Sequence, residues 1–395
     1  MRVLLVHPHI FPGGAEKAVV YLTRNLNLLG HEAALCTLST ELDELPSIAG
    51  QVQYLTPEKP IPPSPLQGVR RALSSVLAEV RALRQLTQRY LDDYDLLAPC
   101  NFPAYWSTYA HRGLKPIVWI SSEVLGPYDA SRDLYDKDIF FRSAVKAAAA
   151  LDRYLVRKSV DKIVTCSELN RQLIKERYDL DSEVIHTGVD YDFFSHNPCD
   201  AREELGLKDN YVLLHVGAFV KRKNQILSIR ALHRLKNRVP DAKLIIVGEG
   251  LWGPALKGEV RELGLDGDVL FTGRVSEERL RLLYHACDVN LFPVEDQTYG
   301  LVPFEAFATG KPSLVSEDSG AGLLMAERGL GYLIHPDVDS IVEAVLKIWR
   351  NGEEANKVVE KGRAYVRENL TWDRYATAMA KIYKNVSSGA GHREA

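Results

Sequence analysis

MRVLLVHPHIFPGGAEKAVVYLTRNLNLLGHEAALCTL, residues 1–38, carries the order of elements that decides the fold. Val3, Leu4, Leu5 and Val6 form a short apolar run, which reads as a buried strand. A Gly13-Gly14 turn follows. Ala18, Val19, Leu22, Leu26 and Leu29 then recur at the helical period up to Gly30. Residues 32–38 read as the next strand. Strand, turn, helix and strand in that order imply a parallel sheet with helices on its faces.

The same alternation runs outward from this stretch. Four prolines in the six residues 60–65 dictate an extended loop. A long helix is predicted over 66–91, with Val69, Leu73, Val76, Leu77, Val80, Leu83 and Leu86 as its apolar stripe. Arg70, Arg71, Arg81, Arg84 and Arg89 lie elsewhere on it, and Arg142, Lys146, Arg153, Arg157 and Lys158 mark a second basic helix. Such a face more often is the solvated side of a core helix, and the alternative is a contact for anionic lipid headgroups. Strands are predicted at 96–98, 116–120, 162–165 and 183–186.

Around 190–210 the pattern breaks, then restarts. Strands are predicted at 211–216, 242–247, 269–271, 289–292 and 313–315. Helices are predicted at 225–237, 252–263, 277–286, 303–308 and 339–350. The expected fold class is therefore α/β, with two doubly wound Rossmann-like domains facing each other across a cleft. They span residues 1–190 and 191–370, followed by a helix over 371–386 and a frayed polar tail over 387–395. In open parallel sheets, ligands sit beyond the carboxyl ends of the strands.

The 395 residues are 46% apolar and 26% charged, an ordinary globular composition. Lys plus Arg number 49 and Asp plus Glu 52, a net charge of −3, so nucleic acid is not an expected partner. Five scattered cysteines, Cys36, Cys100, Cys166, Cys199 and Cys287, form neither a disulfide framework nor a zinc motif, which suits a reducing compartment. The apolar opening stops at His7, too short for a secretory signal, and no run of 18 apolar residues occurs. The expected location is the cytoplasm, with the cytoplasmic membrane surface as the alternative.

Three constellations fall at carboxyl ends of predicted strands. In Pro12-Gly13-Gly14-Ala15-Glu16-Lys17 the glycines let backbone N–H groups approach a ligand, although a ligand-free turn before a helix uses the same residues. In Gly217-Ala218-Phe219-Val220-Lys221-Arg222-Lys223-Asn224 three adjacent cations suit a diphosphate or form a solvated loop. Between 293 and 310, a strand end leads through Gly300 to a helix with Pro303 in its first turn, and the N–H groups of Gly300, Leu301 and Val302 face where an anion would sit. Glu305, about one turn in, can accept both hydroxyls of a ribose or simply offset the helix dipole. Gly248-Glu249-Gly250-Leu251-Trp252-Gly253 matches the dinucleotide fingerprint, but Asp268 begins a strand instead of ending one, which disfavours a nicotinamide enzyme. Asp136-Lys137-Asp138 and Asp337-Val338-Asp339 are read as surface, so no metal is expected.

Together these motifs resemble the family 4 retaining glycosyltransferases of the GT-B fold over almost the whole chain. The marks are GGAEK, SEL at 167–169, HTGVD at 186–190, GAFVKRKNQ, IIVGEG, FTGRV, HACDVNLFP and QTYGLVPFEAFATGKPSLV. The glycine opening and the basic loop look most like mannosyltransferases acting on lipid-linked oligosaccharides. The resemblance implies a nucleotide-diphosphate sugar donor, GDP-mannose first and a UDP-sugar second, and a glycan or lipid-linked acceptor. It implies Glu305 on the ribose and Lys223, with Arg222, on the diphosphate. The backbone of Gly273, Arg274 and Val275 would meet the base. Gln297, Thr298 and Tyr299 would face the donor, with Gly217 beside them. Gly13 and Gly14 would lie against the sugar, and Ser122, Glu123 and Gly188 on the acceptor side. The sequence departs from the family at Gln297 (Glu in the family), Ala218 (Arg) and Ser122 (near the place of a His). No cofactor beyond the donor is expected.

Overall fold

The computed structural model describes residues 1–11, 13–41, 50–63, 69–123, 139–197 and 200–389. Backbone contacts divide the chain into Met1–Thr187 with Trp372–Ala395, and Gly188–Thr371. Residues 66–68 of the predicted long helix, Pro12, and Asp136-Lys137-Asp138 lie outside the described residues, as do the side chains of Arg70, Arg71 and Arg142.

The first unit runs β1 (Arg2–Val6), β2 (His9–Ile10), α1 (Gly14–Leu28), β3 (Glu32–Cys36), β4 (Ser39–Thr40), β5 (Tyr54–Leu55) and α2 (Val69–Tyr90). It continues with β6 (Leu96–Pro99), α3 (Ala104–Thr108), β7 (Val118–Ser121), α4 (Ile139–Ser159), β8 (Lys162–Thr165), α5 (Glu168–Tyr178) and β9 (Glu183–Val184). Its strands pair in parallel in the orders β5-β3-β1-β6 and β7-β8-β9, joined by the bridges Leu97–Ile117 and Cys100–Ile120. Leu4 and Val6 of β1 meet Ala34, Cys36 and Leu97 in the core, which Leu83, Leu86, Trp119 and Val156 complete.

Burial corrects the expected stripe of α2. Leu77 is 50% exposed, whereas Glu79 is buried with its carboxyl 3.7 Å from His9 Nε2. Asp152 on α4 is wholly buried and accepts bonds from Tyr105 Oη (2.8 Å), Trp106 Nε1 (2.7 Å) and Tyr178 Oη (2.6 Å), with Arg177 3.2 Å away. One carboxylate thus ties α3, α4 and α5 together.

The second unit runs α6 (Tyr191–Ser195), α7 (Ala201–Glu204), β10 (Tyr211–Val216), α8 (Gln225–Leu235), β11 (Ala242–Val247), α9 (Gly253–Glu262), β12 (Val269–Gly273), α10 (Glu277–Ala286) and β13 (Val289–Phe292). It ends with α11 (Val302–Ala308), β14 (Ser313–Ser316), α12 (Gly320–Arg328), β15 (Tyr332–Ile334), α13 (Val338–Arg350) and α14 (Gly352–Asn369). Its parallel sheet has the order β12-β11-β10-β13-β14-β15, the doubly wound arrangement whose direction of winding reverses between β10 and β13. In the first unit the corresponding reversal lies between β1 and β6.

α15 (Trp372–Ser387) packs on α1 within the first unit, with Trp372 stacked on Tyr21 at 4.5 Å and 10°. Asp337 caps α13 by accepting from the Ser340 N–H, and Asp339 pairs with Arg234. Among the described residues, no group of His, Cys, Asp and Glu is arranged to hold a metal, and no helix is long and apolar enough to cross a membrane.

Candidate functional site

In the second unit the winding reversal brings together the loops that follow β10 and β13. Asn224 takes a left-handed backbone (φ 55°) and its amide donates to the Pro293 carbonyl at 3.0 Å. The Glu295 N–H donates to the Arg222 carbonyl at 2.8 Å. These bonds fix the cations of the first loop over the second. Arg222 Nη1 and Lys223 Nζ both donate to Gln297 Oε1, at 3.0 and 2.6 Å. Lys223 also lies 5.4 Å from the centroid of the Phe292 ring.

Gln297 is buried, and its neutral amide oxygen holds a guanidinium and an ammonium side by side without neutralising either. Behind them sits His215, wholly buried, with Nδ1 2.8 Å from Ser228 Oγ. Burial, followed by the nearby charge of Lys223, lowers its pKa to about 3, so it stays neutral beneath the cations.

Glu305 lies in the first turn of α11, buried, and accepts from Tyr284 Oη at 2.8 Å. That bond orients the carboxylate, and burial first, then Glu305, pushes the Tyr284 phenol well above its ordinary range. Tyr299 and Thr298 are buried, the Tyr299 ring stacking on Phe304 at 5.4 Å. Gly300 has φ 129°, and a side chain there would meet the Phe292 ring at 2.5 Å, so the turn into α11 requires glycine.

Gly273 ends β12 and its carbonyl accepts from the Gly248 N–H at 2.9 Å, while the Arg274 side chain pairs with Glu249 at 2.7 Å. Val275 follows in the loop before α10. The G-x-G-x-x-G spacing has a packing explanation. A Cβ on Gly248 would stand 2.3 Å from the Gly217 carbonyl oxygen, and one on Gly250 2.6 Å from that of Phe219. Both glycines therefore admit the β10 loop, whose Ala218 and Gly217 carbonyls accept from the Gln225 amide at 3.0 and 3.2 Å.

In the first unit, Gly13 caps α1 with extended backbone and Gly14 begins the helix. Ser122 follows β7, its N–H donating to Asn101 Oδ1 at 2.9 Å, and its carbonyl accepting from Cys166 Sγ at 3.2 Å. Glu123 is half-buried beside it, its carbonyl accepting from Ser121 Oγ at 3.2 Å. Gly188 is buried and grouped with the second unit, not with Ser122 and Glu123.

Sequence reading passed over two groups here, Glu16 and His7. Both are buried, with His7 Nε2 4.0 Å from Glu16 Oε1. Burial lowers the His7 pKa to about 4. It raises that of Glu16 to about 7, an effect the Glu123 charge reinforces. The one signal in the sequence is an acid three residues after a glycine N-cap, which more often serves the helix end.

Two α/β units, each built on parallel strands, and the polar loops that meet at the winding reversal of the second define the class of fold. Residues 12–193 match Glycosyltransferase Family 4, and residues 200–365 match Glycosyl transferases group 1. The chain belongs to the family 4 glycosyltransferases and has the GT-B fold. It is 31% identical over 225 residues to the GDP-mannose-dependent alpha-(1-6)-phosphatidylinositol monomannoside mannosyltransferase of Mycolicibacterium smegmatis, a match covering 54% of this chain and 57% of that one. The match therefore spans little more than half of that relative's length. O-antigen chain mannosyltransferase C of Escherichia coli is 26% identical over 97% of this chain and 98% of its own. Among solved structures, Anabaena HepE in complex with UDP-glucose superposes with a TM-score of 0.77 at 18% identity, covering 98% of this chain and 100% of that one.

Proposed function

We propose that this protein transfers a sugar, with retained anomeric configuration, from a nucleoside-diphosphate sugar to a hydroxyl of a glycan or lipid-linked acceptor. The observation that carries the reading is the convergence of Arg222 and Lys223 on Gln297 at the winding reversal of the second unit. The reaction breaks the bond between the anomeric carbon and the diphosphate, and negative charge grows on the leaving oxygen. Fixed cations stabilise that charge because their positions are set before the reaction begins. Lys223 supplies a compact charge and Arg222 a planar fork. The N–H groups of Gly300, Leu301 and Val302 add partial charge. Glu305, oriented by Tyr284, takes the ribose hydroxyls, while the backbone of Gly273, Arg274 and Val275 meets the base. Thr298 and Tyr299 face the donor, and Gly217 leaves room beside Lys223. Gly13, Gly14, Ser122, Glu123 and Gly188 serve the sugar and acceptor side.

GDP-mannose is the first donor to test, because the mycobacterial relative is named as GDP-mannose-dependent and both curated relatives are named as mannosyltransferases. UDP-glucose is the second, because HepE was solved with it. The second reading is a nucleotide-sugar-binding relative without turnover. It draws support from Gln297, Ala218 and Ser122 standing where the family carries Glu, Arg and a His. Consumption of radiolabelled GDP-mannose and UDP-glucose by the wild type and by Lys223→Ala separates the two. Loss of turnover in the variant supports transfer, and equal rates support the second reading.

The proposed acceptor side also includes an anionic membrane surface, in a cytoplasmic setting. Exposed Arg81, Arg84 and Arg89 on α2 and Lys146, Arg153 and Lys158 on α4 support this, with exposed Leu77, Leu151 and Tyr154 among them. Salt-sensitive sedimentation with anionic but not neutral liposomes is the expected result, and no pelleting with either overturns it.

A further inference from the structure

Gln297 closes the run Glu295-Asp296-Gln297 in the loop after β13. Both acids are exposed and the amide is buried, so the loop turns its neutral member inward although two carboxylates precede it. There Oε1 meets Arg222 Nη1 at 3.0 Å and Lys223 Nζ at 2.6 Å. A guanidinium and an ammonium can only donate, so the atom they share is the amide oxygen, and the orientation of the amide is fixed. Nε2, with its two N–H groups, therefore lies on the far side of the amide carbon from that shared oxygen.

Among the described residues Nε2 has no hydrogen-bond partner, yet it is not one of the polar atoms sealed from solvent. Gln297 as a whole is only 7% exposed, so the opening is narrow. A buried amide with one end bonded and the other unmet costs stability until a ligand completes it. The two cations on Oε1 also draw electron density toward the oxygen, which makes the N–H groups stronger donors. Whatever meets those N–H groups must accept hydrogen bonds and must gain from two positive charges one amide away. An anionic oxygen does both. A hydroxyl gains little from the charges, and a cation is repelled by them.

We propose that Gln297 binds the diphosphate of the donor through Nε2, while Oε1 positions Arg222 and Lys223 against the same anion. This rests on the glycosyl-transfer reading above and adds a direct contact to it. A carboxylate at this position would hold both cations more firmly. It would also set a negative charge and a second acceptor against the leaving group, where the amide offers donors. The amide thus gives up a tighter loop for a stronger anion site, and the departure from the family's Glu at 297 gains a reason.

The test titrates GDP, UDP, GMP and UMP into the full chain, wild type and Gln297→Glu, by calorimetry. The variant should bind the preferred diphosphate about 10- to 100-fold more weakly, from the repulsion of unit charges about 4 Å apart in a partly buried site. The matching monophosphate should lose much less. The melting temperature should stay or rise, because both cations gain a charged partner. Affinity and stability moving in opposite directions is what a merely structural amide would not produce. Gln297→Met keeps the length without the oxygen or the N–H groups. It should also weaken the diphosphate more than the monophosphate, and it decides the matter if the Glu variant does not fold. In protein labelled with nitrogen-15, the Gln297 side-chain amide resonance, identified by its loss in Gln297→Glu, should shift downfield with the diphosphate and stay in place with the free nucleoside. A Glu variant with wild-type diphosphate affinity, equal weakening of diphosphate and monophosphate, or an amide resonance unmoved at saturating diphosphate overturns the assignment. A wild-type protein that binds neither GDP nor UDP overturns the transfer reading instead, and the assignment with it.

Discussion

Lys223→Met removes one charge while keeping a stem to pack against Phe292, and the structure gives its expected cost. The ammonium is fixed by Gln297 at 2.6 Å and half-buried. Unit charges about 4 Å apart interact by about 1 kcal/mol in water and about 4 kcal/mol at an effective dielectric of about 20. A half-buried site lies between, so the loss for a diphosphate is about 2–3 kcal/mol. At about 1.4 kcal/mol per tenfold, GDP should bind about 30- to 150-fold more weakly. GMP, which lacks the terminal phosphate of the leaving group, should lose much less. Calorimetric titration of both nucleotides into wild type and variant gives the two differences. Equal weakening of GDP and GMP, or no weakening of either, would refute the assignment of Lys223 to the diphosphate.

Glu305→Gln keeps an oxygen for Tyr284 but loses the charge, so GDP affinity should fall by about 1.5–3 kcal/mol while 2′,3′-dideoxy-GDP binding stays unchanged in the same calorimeter. Asp152→Ala leaves Tyr105, Trp106, Tyr178 and Arg177 facing a buried gap and should destabilise the first unit by about 3–5 kcal/mol in urea unfolding, with Asp152→Asn much milder.

Glu16 and His7 should also shape stability against pH. The raised Glu16 pKa means the folded state holds its proton longer, so its contribution falls as pH rises from about 4.5 to about 7. The lowered His7 pKa means the folded state refuses a proton, so its contribution is lost as pH falls from 6.5 to about 4. The two slopes oppose each other, each amounting to about 3 kcal/mol, and the wild type should be nearly flat where they overlap. Glu16→Gln should expose the His7 slope, with urea midpoints climbing as pH rises toward neutrality. A flat profile in that variant contradicts the buried-pair description.

The central strands were legible because they are continuous apolar runs. β10, β11, β12 and β13 begin where the sequence places them, and each is followed by a helix. α12 was passed over because Gly320 and Gly322 weaken its helical signal. Yet Gly322 is there because a Cβ would stand 2.0 Å from the Ser316 carbonyl. α14 hides only Ala355, Val359, Gly362 and Val366 among many charges, so its buried stripe is too thin to see. β2 and β4 are two residues each and carry no period. The loops after β10 and β13 could be read because glycine, cations and proline cluster at strand ends. That Gln297 collects both cations depends on the register of two loops, which local sequence does not encode. Burial of Glu16 and His7 is likewise a tertiary fact, since both are polar residues in a segment that reads as a turn.

The measurement closest to the central claim is calorimetric titration of the wild-type protein with GDP, UDP, ADP and NAD. One nucleoside diphosphate should bind in preference to the others, more tightly than its monophosphate, while NAD gives no heat of binding. Binding of NAD alone, or the same affinity for mono- and diphosphates, would contradict it.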